Sequence, residues 1–144
     1  MSDAATKEPS TLVNPGTTLA YATPENTPLV PGRRDFLKYR DLGVTKASDG
    51  RMRAQVTVAT AAMRPTGWHY HLCDSQLVYG LKGWVDLEFE DGTKVRLKAG
   101  ESLYIPGGTK HNETGMSLDL ELLEVSVPAE MGTKPCDPPP GMTA

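Results

Sequence analysis

The chain has 144 residues, of which 23% are charged, and its formal net charge is -3 at pH 7. This length suits one domain with a modest core, and the charge balance, without a Lys or Arg cluster, argues against nucleic acid as a partner. No apolar run is long enough to span a bilayer, and residues 1–7 lack the basic and apolar segments of a signal peptide, so we expect a cytoplasmic protein with no membrane partner. The two cysteines, Cys73 and Cys136, do not make a disulfide framework.

Both ends of the chain are predicted to lie outside the folded domain. Residues 1–32 contain five prolines and no sustained periodicity, which predicts an extended N-terminal arm. Residues 129–144 are again rich in proline and predict a loop-like C-terminal tail, which leaves residues 33–128 as the domain. Because exposed strands invite pairing, the arm is also expected to pair with a second subunit in a homodimer.

Between these ends the sequence predicts short strands separated by Gly, Pro or Asp, and no window has the apolar period of a helix. The predicted strands cover residues 35–42, 51–59, 67–71, 75–82, 84–90, 94–98, 102–105 and 118–127. Arg53 and Gln55 lie on the polar face of the second strand, where they either line the mouth of a pocket or face solvent. Many short strands with turns at this spacing are typical of a β-sandwich or barrel.

The hairpin around Asp91 indicates the register of two strands. A two-residue turn would mix apolar and charged side chains on one face. A three-residue loop, 91–93, instead places Leu87 opposite Leu97 and Phe89 opposite Val95, so that apolar pairs share a face. We therefore predict a loop with an odd number of residues.

All three histidines of the chain belong to one pattern of strands. His69 and His71 are two residues apart, so on a strand both imidazoles point to the same face. His111 follows a Pro-Gly-Gly turn. Imidazole nitrogen suits Zn, Cu, Fe and Ni, and Gln76 would add a neutral oxygen. The pattern predicts a metal site built on strands.

These residues carry a resemblance to the cupin superfamily, specifically to a small single-domain bacterial cupin. The first cupin motif is Gly-x5-His-x-His-x3,4-Glu-x6-Gly, and the second is Gly-x5-Pro-x-Gly-x2-His-x3-Asn. This chain has His69-x-His71-x4-Gln76-x6-Gly83 and Gly100-x5-Pro106-x-Gly108-x2-His111-x3-Gly115. The two motifs lie in the family's order and cover roughly residues 63–115.

The resemblance implies an all-β fold, a double-stranded β-helix (a jelly-roll or cupin barrel), with extended N- and C-terminal arms. It places His69, His71 and His111 at the three histidine ligand positions and Gln76 at the carboxylate position. The implied cofactor is a divalent transition metal, namely Fe, Zn, Mn or Ni, near the centre of the barrel. A homodimer is implied as well.

Three positions depart from the family pattern: this chain has Met63 where the motif has Gly, Gly115 where it has Asn, and Gln76 where it has Glu. Glu would cancel one positive charge of the metal, whereas three imidazoles and an amide leave it near +2. Such a metal is a stronger Lewis acid and favours an anionic ligand, such as an enolate. Gln76 is either a direct ligand or a hydrogen-bond donor to another ligand of the metal.

Two further side chains lie near the motifs. Gln76 and His71 have opposite strand parity, so the chain must bend or bulge between residues 72 and 75. Cys73 is then a pocket residue or an inert buried thiol. Tyr104 precedes the Pro-Gly-Gly turn, where its phenol would assist a proton transfer or pack in the core. Gln76 and Tyr104 are the candidate catalytic residues.

The leading interpretation is a metal-dependent cupin enzyme that acts on a small polar or enolisable molecule. With Fe(II) the expected class is a dioxygenase, an oxidoreductase that cleaves a diketone, enol or aromatic compound. Zn, Mn or Ni would favour an isomerase or lyase. The alternative from another class is a non-catalytic module that binds or senses a small molecule.

Overall fold

The computed structural model describes residues 14–143. These residues form mainly short strands, as the sequence predicts. In chain order the elements are β1 (Val30–Pro31), β2 (Leu37–Asp41), α1 (Val44–Ala47), β3 (Arg53–Ala59), β4 (His69–Leu72), β5 (Ser75–Lys82), β6 (Trp84–Phe89), β7 (Lys94–Lys98), β8 (Ser102–Pro106), β9 (His111–Met116), β10 (Glu121–Val127) and β11 (Gly132–Pro135).

The strands form two antiparallel sheets, and the predicted all-β jelly-roll fold is confirmed. One sheet has the order β1-β2-β3-β10-β5-β8, and the other has the order β11-β4-β9-β6-β7. Strands β4 and β5 are consecutive in sequence but lie in different sheets, so the chain changes sheet between Leu72 and Ser75. This is the bend predicted from strand parity. It lets His71 and Gln76 reach the barrel interior from opposite sheets.

The hydrophobic core lies between the two sheets. Strand β6 buries every second residue, Val85, Leu87 and Phe89, while Val78 of β5 and Ile105 of β8 come from the other sheet. A side chain of this kind contributes roughly 1.5–3 kcal/mol when it is fully buried. In β6 the alternation of apolar and polar residues therefore sets which face of the strand closes the barrel.

The β6–β7 hairpin has the predicted kind of loop but a different register. Phe89 N–H donates to the carbonyl of Thr93, which closes a loop of three residues, and Leu87 pairs with Val95. The odd count and the apolar pairing are confirmed, whereas the predicted pairing of Leu87 with Leu97 was wrong by two residues. A shift of two keeps every side chain on its own face, so apolar patterning cannot distinguish the two registers.

Both ends of the described chain add strands to the barrel. β1 extends the arm along β2, and β11 pairs with β4 and places Thr133 opposite His71. The prediction of a wholly loop-like tail was therefore wrong. Residues 1–13 of the arm lie outside the described residues. Within the described part, no helix is long and apolar enough to cross a bilayer, and the cytoplasmic location stays a prediction.

Candidate metal centre

The three histidines meet inside the barrel. His69 and His71 lie on β4, and His111 begins β9, where it is the register partner of His69. The ring centroids are 4.5 Å apart for His69 and His111, 5.1 Å for His71 and His111, and 5.2 Å for His69 and His71. All three residues are buried, and each offers one ligand atom within 4.8 Å of the others. The two-residue spacing on β4 and the pairing of His69 with His111 thus bring three donors to one place.

Hydrogen bonds at Nδ1 orient the imidazoles. His69 Nδ1–H donates to the carbonyl of Gly67 at 2.7 Å, and His111 Nδ1–H donates to the carbonyl of Thr109 at 2.8 Å. Because a carbonyl oxygen only accepts, each neutral ring carries its proton on Nδ1 and keeps a free lone pair on Nε2. This is the tautomer that a metal ligand needs.

Burial keeps two of the rings neutral. The pKa of His71 falls to about 3, because burial disfavours its charged form and the nearby His111 and His69 lower it further. Burial also lowers the pKa of His69, and the attraction of the Glu113 carboxylate does not overcome this effect. The lone pairs of His69 and His71 are therefore available at neutral pH.

Two buried atoms at this cluster have no hydrogen-bond partner among the described residues: Nε2 of His69 and Oε1 of Gln76. An unsatisfied buried polar group costs about 1–3 kcal/mol, so such atoms call for an explanation. Both atoms carry lone pairs that a cation would satisfy. Gln76 lines the same cavity as His71 and His111. A donor set of imidazoles and an amide oxygen fits a divalent transition metal.

Glu113 is the residue at this site that the sequence analysis missed. Its Oε2 lies 3.3 Å from Nε2 of His69. Burial raises the pKa of Glu113, but His69, His111, the hydroxyl of Thr66 and Arg33 together hold it below its ordinary value. The side chain is therefore an ionised carboxylate. Its position two residues after His111, on the same face of β9, is the signal that could have found it.

A cavity of about 230 Å³ opens beside the cluster. Its apolar wall includes core residues of both sheets, and its polar wall includes Arg33, Tyr39, Arg53, Gln55 and Glu124. The Arg53 guanidinium donates to Gln55 Oε1, and Gln55 Nε2 donates to Glu124 at 3.1 Å. The polar face of β3 thus points into the barrel. Arg53 and Gln55 therefore line the pocket rather than face solvent.

The family model described as "Cupin domain" matches residues 55–126. The chain belongs to the cupin family. A comparison with curated proteins gives no significant match.

Several solved structures resemble this cupin in fold. The polyketide cyclase RemF from Streptomyces resistomycificus superposes with a TM-score of 0.66 at 21% identity, over 82% of this chain and 85% of that chain. KdgF from Halomonas sp. gives 0.64 at 17% identity, over 78% and 96% of the two chains. Hydroxypropylphosphonic acid epoxidase from S. wedmorenis gives 0.60 at 15% identity, over 75% and 59%. Identities this low show the fold alone.

Two side chains singled out from the sequence lie away from the cupin's cavity. Tyr104 is 58% exposed, and its hydroxyl lies 2.9 Å from Ser75 Oγ. Its neighbours Leu103 and Ile105 line the cavity, so alternation along β8 turns the phenol outward. The structure therefore gives Tyr104 neither a core role nor contact with the histidines.

Cys73 is half-buried in the turn between β4 and β5 and is not among the residues that line the cavity. Burial raises the pKa of its thiol, and the adjacent Asp74 carboxylate raises it further. A thiol of this kind is a poor nucleophile and a poor metal ligand at neutral pH. Cys73 and Cys136 are both free cysteines.

Proposed function

We propose that this cupin is a metal-dependent enzyme that acts on a small polar or enolisable molecule, with dioxygenase-type cleavage as the leading reaction. The observation that carries the proposal is the pair of unpartnered buried atoms, His69 Nε2 and Gln76 Oε1, in a histidine cluster beside a cavity. His69, His71, His111 and Gln76 would hold the metal. A bound divalent metal supplies Lewis acidity and, as Fe(II), redox chemistry with oxygen.

The cavity supports a small substrate with both apolar and polar parts. Its volume of about 230 Å³ is below the range of roughly 300–1,000 Å³ that is typical of sites for drug-sized ligands. Val85, Leu87 and Ile105 contribute apolar surface to the cavity. Arg53 and Tyr39 also line it and carry donors for substrate oxygens, and they would orient an enol or enolate toward the histidines.

A second candidate reaction, isomerisation or elimination, is favoured by two carboxylates in the same cavity. Glu113 and Glu124 both line it. Moving a proton to or from carbon needs a base within reach of the substrate, and a carboxylate in a partly apolar site can serve as one. With Zn, Mn or Ni, this cupin would then be an isomerase or lyase.

The names of the similar structures are compatible with either reaction. One is called a cyclase and another an epoxidase, and both names denote enzymes. One fold supports many unrelated reactions, so the choice must come from the cavity and its residues.

The metal content of protein purified without oxygen and without a His-tag is the first test of the proposal. Near-stoichiometric iron, with oxygen uptake on addition of diketones or enols, supports the dioxygenase. Zinc, manganese or nickel, with exchange of substrate C–H for deuterium, supports the isomerase or lyase. Ligand-induced stabilisation without turnover supports a binding module instead. A protein that holds no metal even after reloading would contradict the proposal.

We also propose a homodimer in which the arm contacts the partner subunit. Leu19 and Tyr21 of the arm are almost fully exposed, and the outer face of β5 exposes Leu77, Tyr79 and Leu81. Apolar side chains grouped on an outer face favour association. In this proposal, a second copy of the chain covers these exposed side chains.

A further inference from the structure

We propose that Arg53 binds a carboxylate group of the substrate, so that the substrate of this cupin is a small carboxylic acid. This inference rests on the proposed function and names the substrate class for the same cavity. Three observations carry it. They are the register that places Arg53 near Gln76, the absence of an ion pair at Arg53, and the unpartnered hydroxyl of the neighbouring Ser126.

The register of one sheet brings Arg53 close to Gln76, a proposed metal ligand. Arg53 of β3 pairs with Ser126 of β10, and Ser126 pairs in turn with Gln76 of β5. Neighbouring strands lie about 4.7–4.9 Å apart, so the backbones at Arg53 and Gln76 are about 10 Å apart. Both residues line the cavity beside the histidines. A small molecule held at Arg53 therefore lies within reach of a metal at the histidines.

The guanidinium of Arg53 is held in position without being neutralised. It donates to Oε1 of Gln55, a buried side chain. The amide nitrogen of Gln55 donates to Glu124 Oε2 at 3.1 Å and to Thr57 Oγ1 at 3.3 Å. Gln55 thus bridges Arg53 and Glu124, and within the described part of the chain Arg53 makes no ion pair with a carboxylate. The remaining N–H donors of its guanidinium are open to a ligand.

An arginine in this position favours a planar oxyanion as its ligand. The guanidinium stays charged at physiological pH, and its N–H donors form a fork that matches the two oxygens of a carboxylate. Arg53 is half-buried, so water hydrates its charge only in part. Hydrogen bonds between charged partners are about twice as strong as those between neutral groups. A carboxylate therefore binds to Arg53 in preference to a neutral oxygen.

A recess beside Arg53 offers space and a further donor for one oxygen atom. Its volume is about 10 Å³, and Gln76 and Ser126 line it together with Arg53. The hydroxyl of Ser126 is buried and has no hydrogen-bond partner among residues 14–143. A recess of this size holds about one water-sized group. A carboxylate oxygen placed there would accept from Ser126 and remove the cost of leaving that hydroxyl unpaired.

The charges around the cavity favour a carboxylate over a phosphate. Arg33 also lines the cavity and adds a second positive charge, but Glu113 and Glu124 line it too. Acidic side chains repel a dianion more strongly than a monoanion. Burial raises the pKa of the Tyr39 phenol, and the charges of Arg33 and Arg53 oppose this increase. Because Tyr39 lines the cavity, both guanidiniums exert their charge inside it.

These features define the shape of the substrate. One end carries a carboxylate that binds to Arg53, and the other end carries an oxygen, such as that of an enolisable ketone, that faces the histidines. Val85 and Leu87 supply apolar surface for the carbon chain between them. A keto acid with several bonds between its ketone and its carboxylate meets these requirements.

The test measures the binding of levulinate, a small keto acid of this kind, to chelator-treated protein by NMR titration. Levulinamide has the same carbon skeleton with a neutral amide in place of the carboxylate. We expect wild type to bind levulinate more tightly than levulinamide by about tenfold or more. Arg53→Gln should weaken levulinate binding by about tenfold or more. Arg51→Gln removes an exposed arginine that does not line the cavity, so it should change affinity by less than about twofold.

The use of metal-free protein separates this inference from the proposed function. If wild type does not bind levulinate, or binds levulinamide equally well, the carboxylate subsite is refuted while the metal-dependent function stands. The same holds if Arg53→Gln binds levulinate as wild type does. If levulinate binds as expected but the protein takes up no metal, the subsite stands and the proposed function fails.

Two further measurements do not depend on the folding of Arg53→Gln. Inorganic phosphate is titrated into wild type, and we expect it to bind more weakly than levulinate. Phosphate binding of equal or higher affinity would refute a carboxylate as the preferred ligand. Arg53→Lys keeps the positive charge but lacks the planar fork, so it should also weaken levulinate binding. Wild-type affinity in a folded Arg53→Lys, with circular dichroism as the check, would contradict recognition by the guanidinium.

Discussion

Thr133 Oγ1 lies 2.9 Å from Nδ1 of His71 and joins the C-terminal strand β11 to the histidine cluster. The other two imidazoles use backbone carbonyls for the same purpose, whereas His71 depends on a side chain from the far end of the chain. A segment that sequence patterning assigns to a loop therefore helps to orient a candidate metal ligand.

Thr133→Val should weaken metal binding without unfolding the barrel. Valine has nearly the shape of threonine but lacks the hydroxyl, so His71 loses the partner that orients its ring. Loss of such an outer partner typically costs 10–100-fold in metal affinity. Zn(II) affinity by chelator competition measures the effect, with Thr60→Val at an exposed position as the control. Equal affinities of the two variants would show that Thr133 does not orient a ligand.

Removing one imidazole should abolish stoichiometric metal binding. His69→Ala and His111→Ala each delete one donor of the cluster, and each variant should stay folded because the core of the barrel lies in other residues. Metal content after dialysis is measured by mass spectrometry, and circular dichroism checks the fold. Stoichiometric metal in both variants would refute the site.

The alternation of apolar residues was sufficient to predict the inward face of β6. Val85, Leu87 and Phe89 face inward on β6 because burial favours apolar side chains on one face of a strand. The same alternation in β8 would have placed Tyr104 outside, because Leu103 and Ile105 face inward. The closeness of Tyr104 to the second motif in sequence was less informative than its position in the alternation of the strand.

The parts of the site that the sequence did not predict were missed for a common physical reason. β9 turns His111 and Glu113 toward the interior, so its inward face is polar and lacks the apolar pattern of a strand. β11 contains Pro135 and an exposed sequence, and it is held by backbone pairing with β4. The contact between Thr133 and His71 spans 62 positions. Local patterning carries no information about such a contact.

Gln76→Glu should keep the metal and lower its Lewis acidity. The new carboxylate would occupy the place of the unpartnered Oε1 and add a negative charge to the centre. A less acidic metal ionises a bound group at higher pH, so the pH profile of any activity should move upward. The profile is measured with the substrate found by screening, with wild type as reference. An unchanged profile would mean that Gln76 is not near the metal.

Glu124 should make the stability of the metal-free protein depend on pH. Burial raises its pKa above the ordinary value of 4.5, and hydrogen bonds from Gln55 and Thr57 offset this only in part; the Glu113 charge raises it further, and Arg53 lowers it. The folded state then binds the proton more tightly than the unfolded state does. The contribution of Glu124 to stability should therefore fall as pH rises from about 4.5 through the raised pKa, and it should be level above it.

Glu124→Gln should remove this fall, because the amide cannot ionise. The thermal unfolding midpoint of chelator-treated protein is measured between pH 4 and pH 8, about once per half pH unit. The loss of the fall would appear as a difference between the profiles of wild type and Glu124→Gln. Glu130→Gln at an exposed position is the control and should keep the wild-type pH dependence. If Glu124→Gln keeps it too, the carboxylate of Glu124 does not cause the fall.

Deleting residues 1–20 should weaken the proposed dimer more than it harms the barrel. The deletion removes the exposed Leu19, while the strands that build the two sheets begin later, at Val30. Sedimentation over a range of protein concentrations measures the association, and thermal unfolding measures the barrel. We expect the deletion to raise the dimer dissociation constant by at least tenfold, which corresponds to about 1.4 kcal/mol. Tyr79→Ser on the outer face of β5 should weaken the same association, because its exposed ring would be covered in the dimer. Unchanged association of the shortened chain would refute the pairing of the arm with a partner.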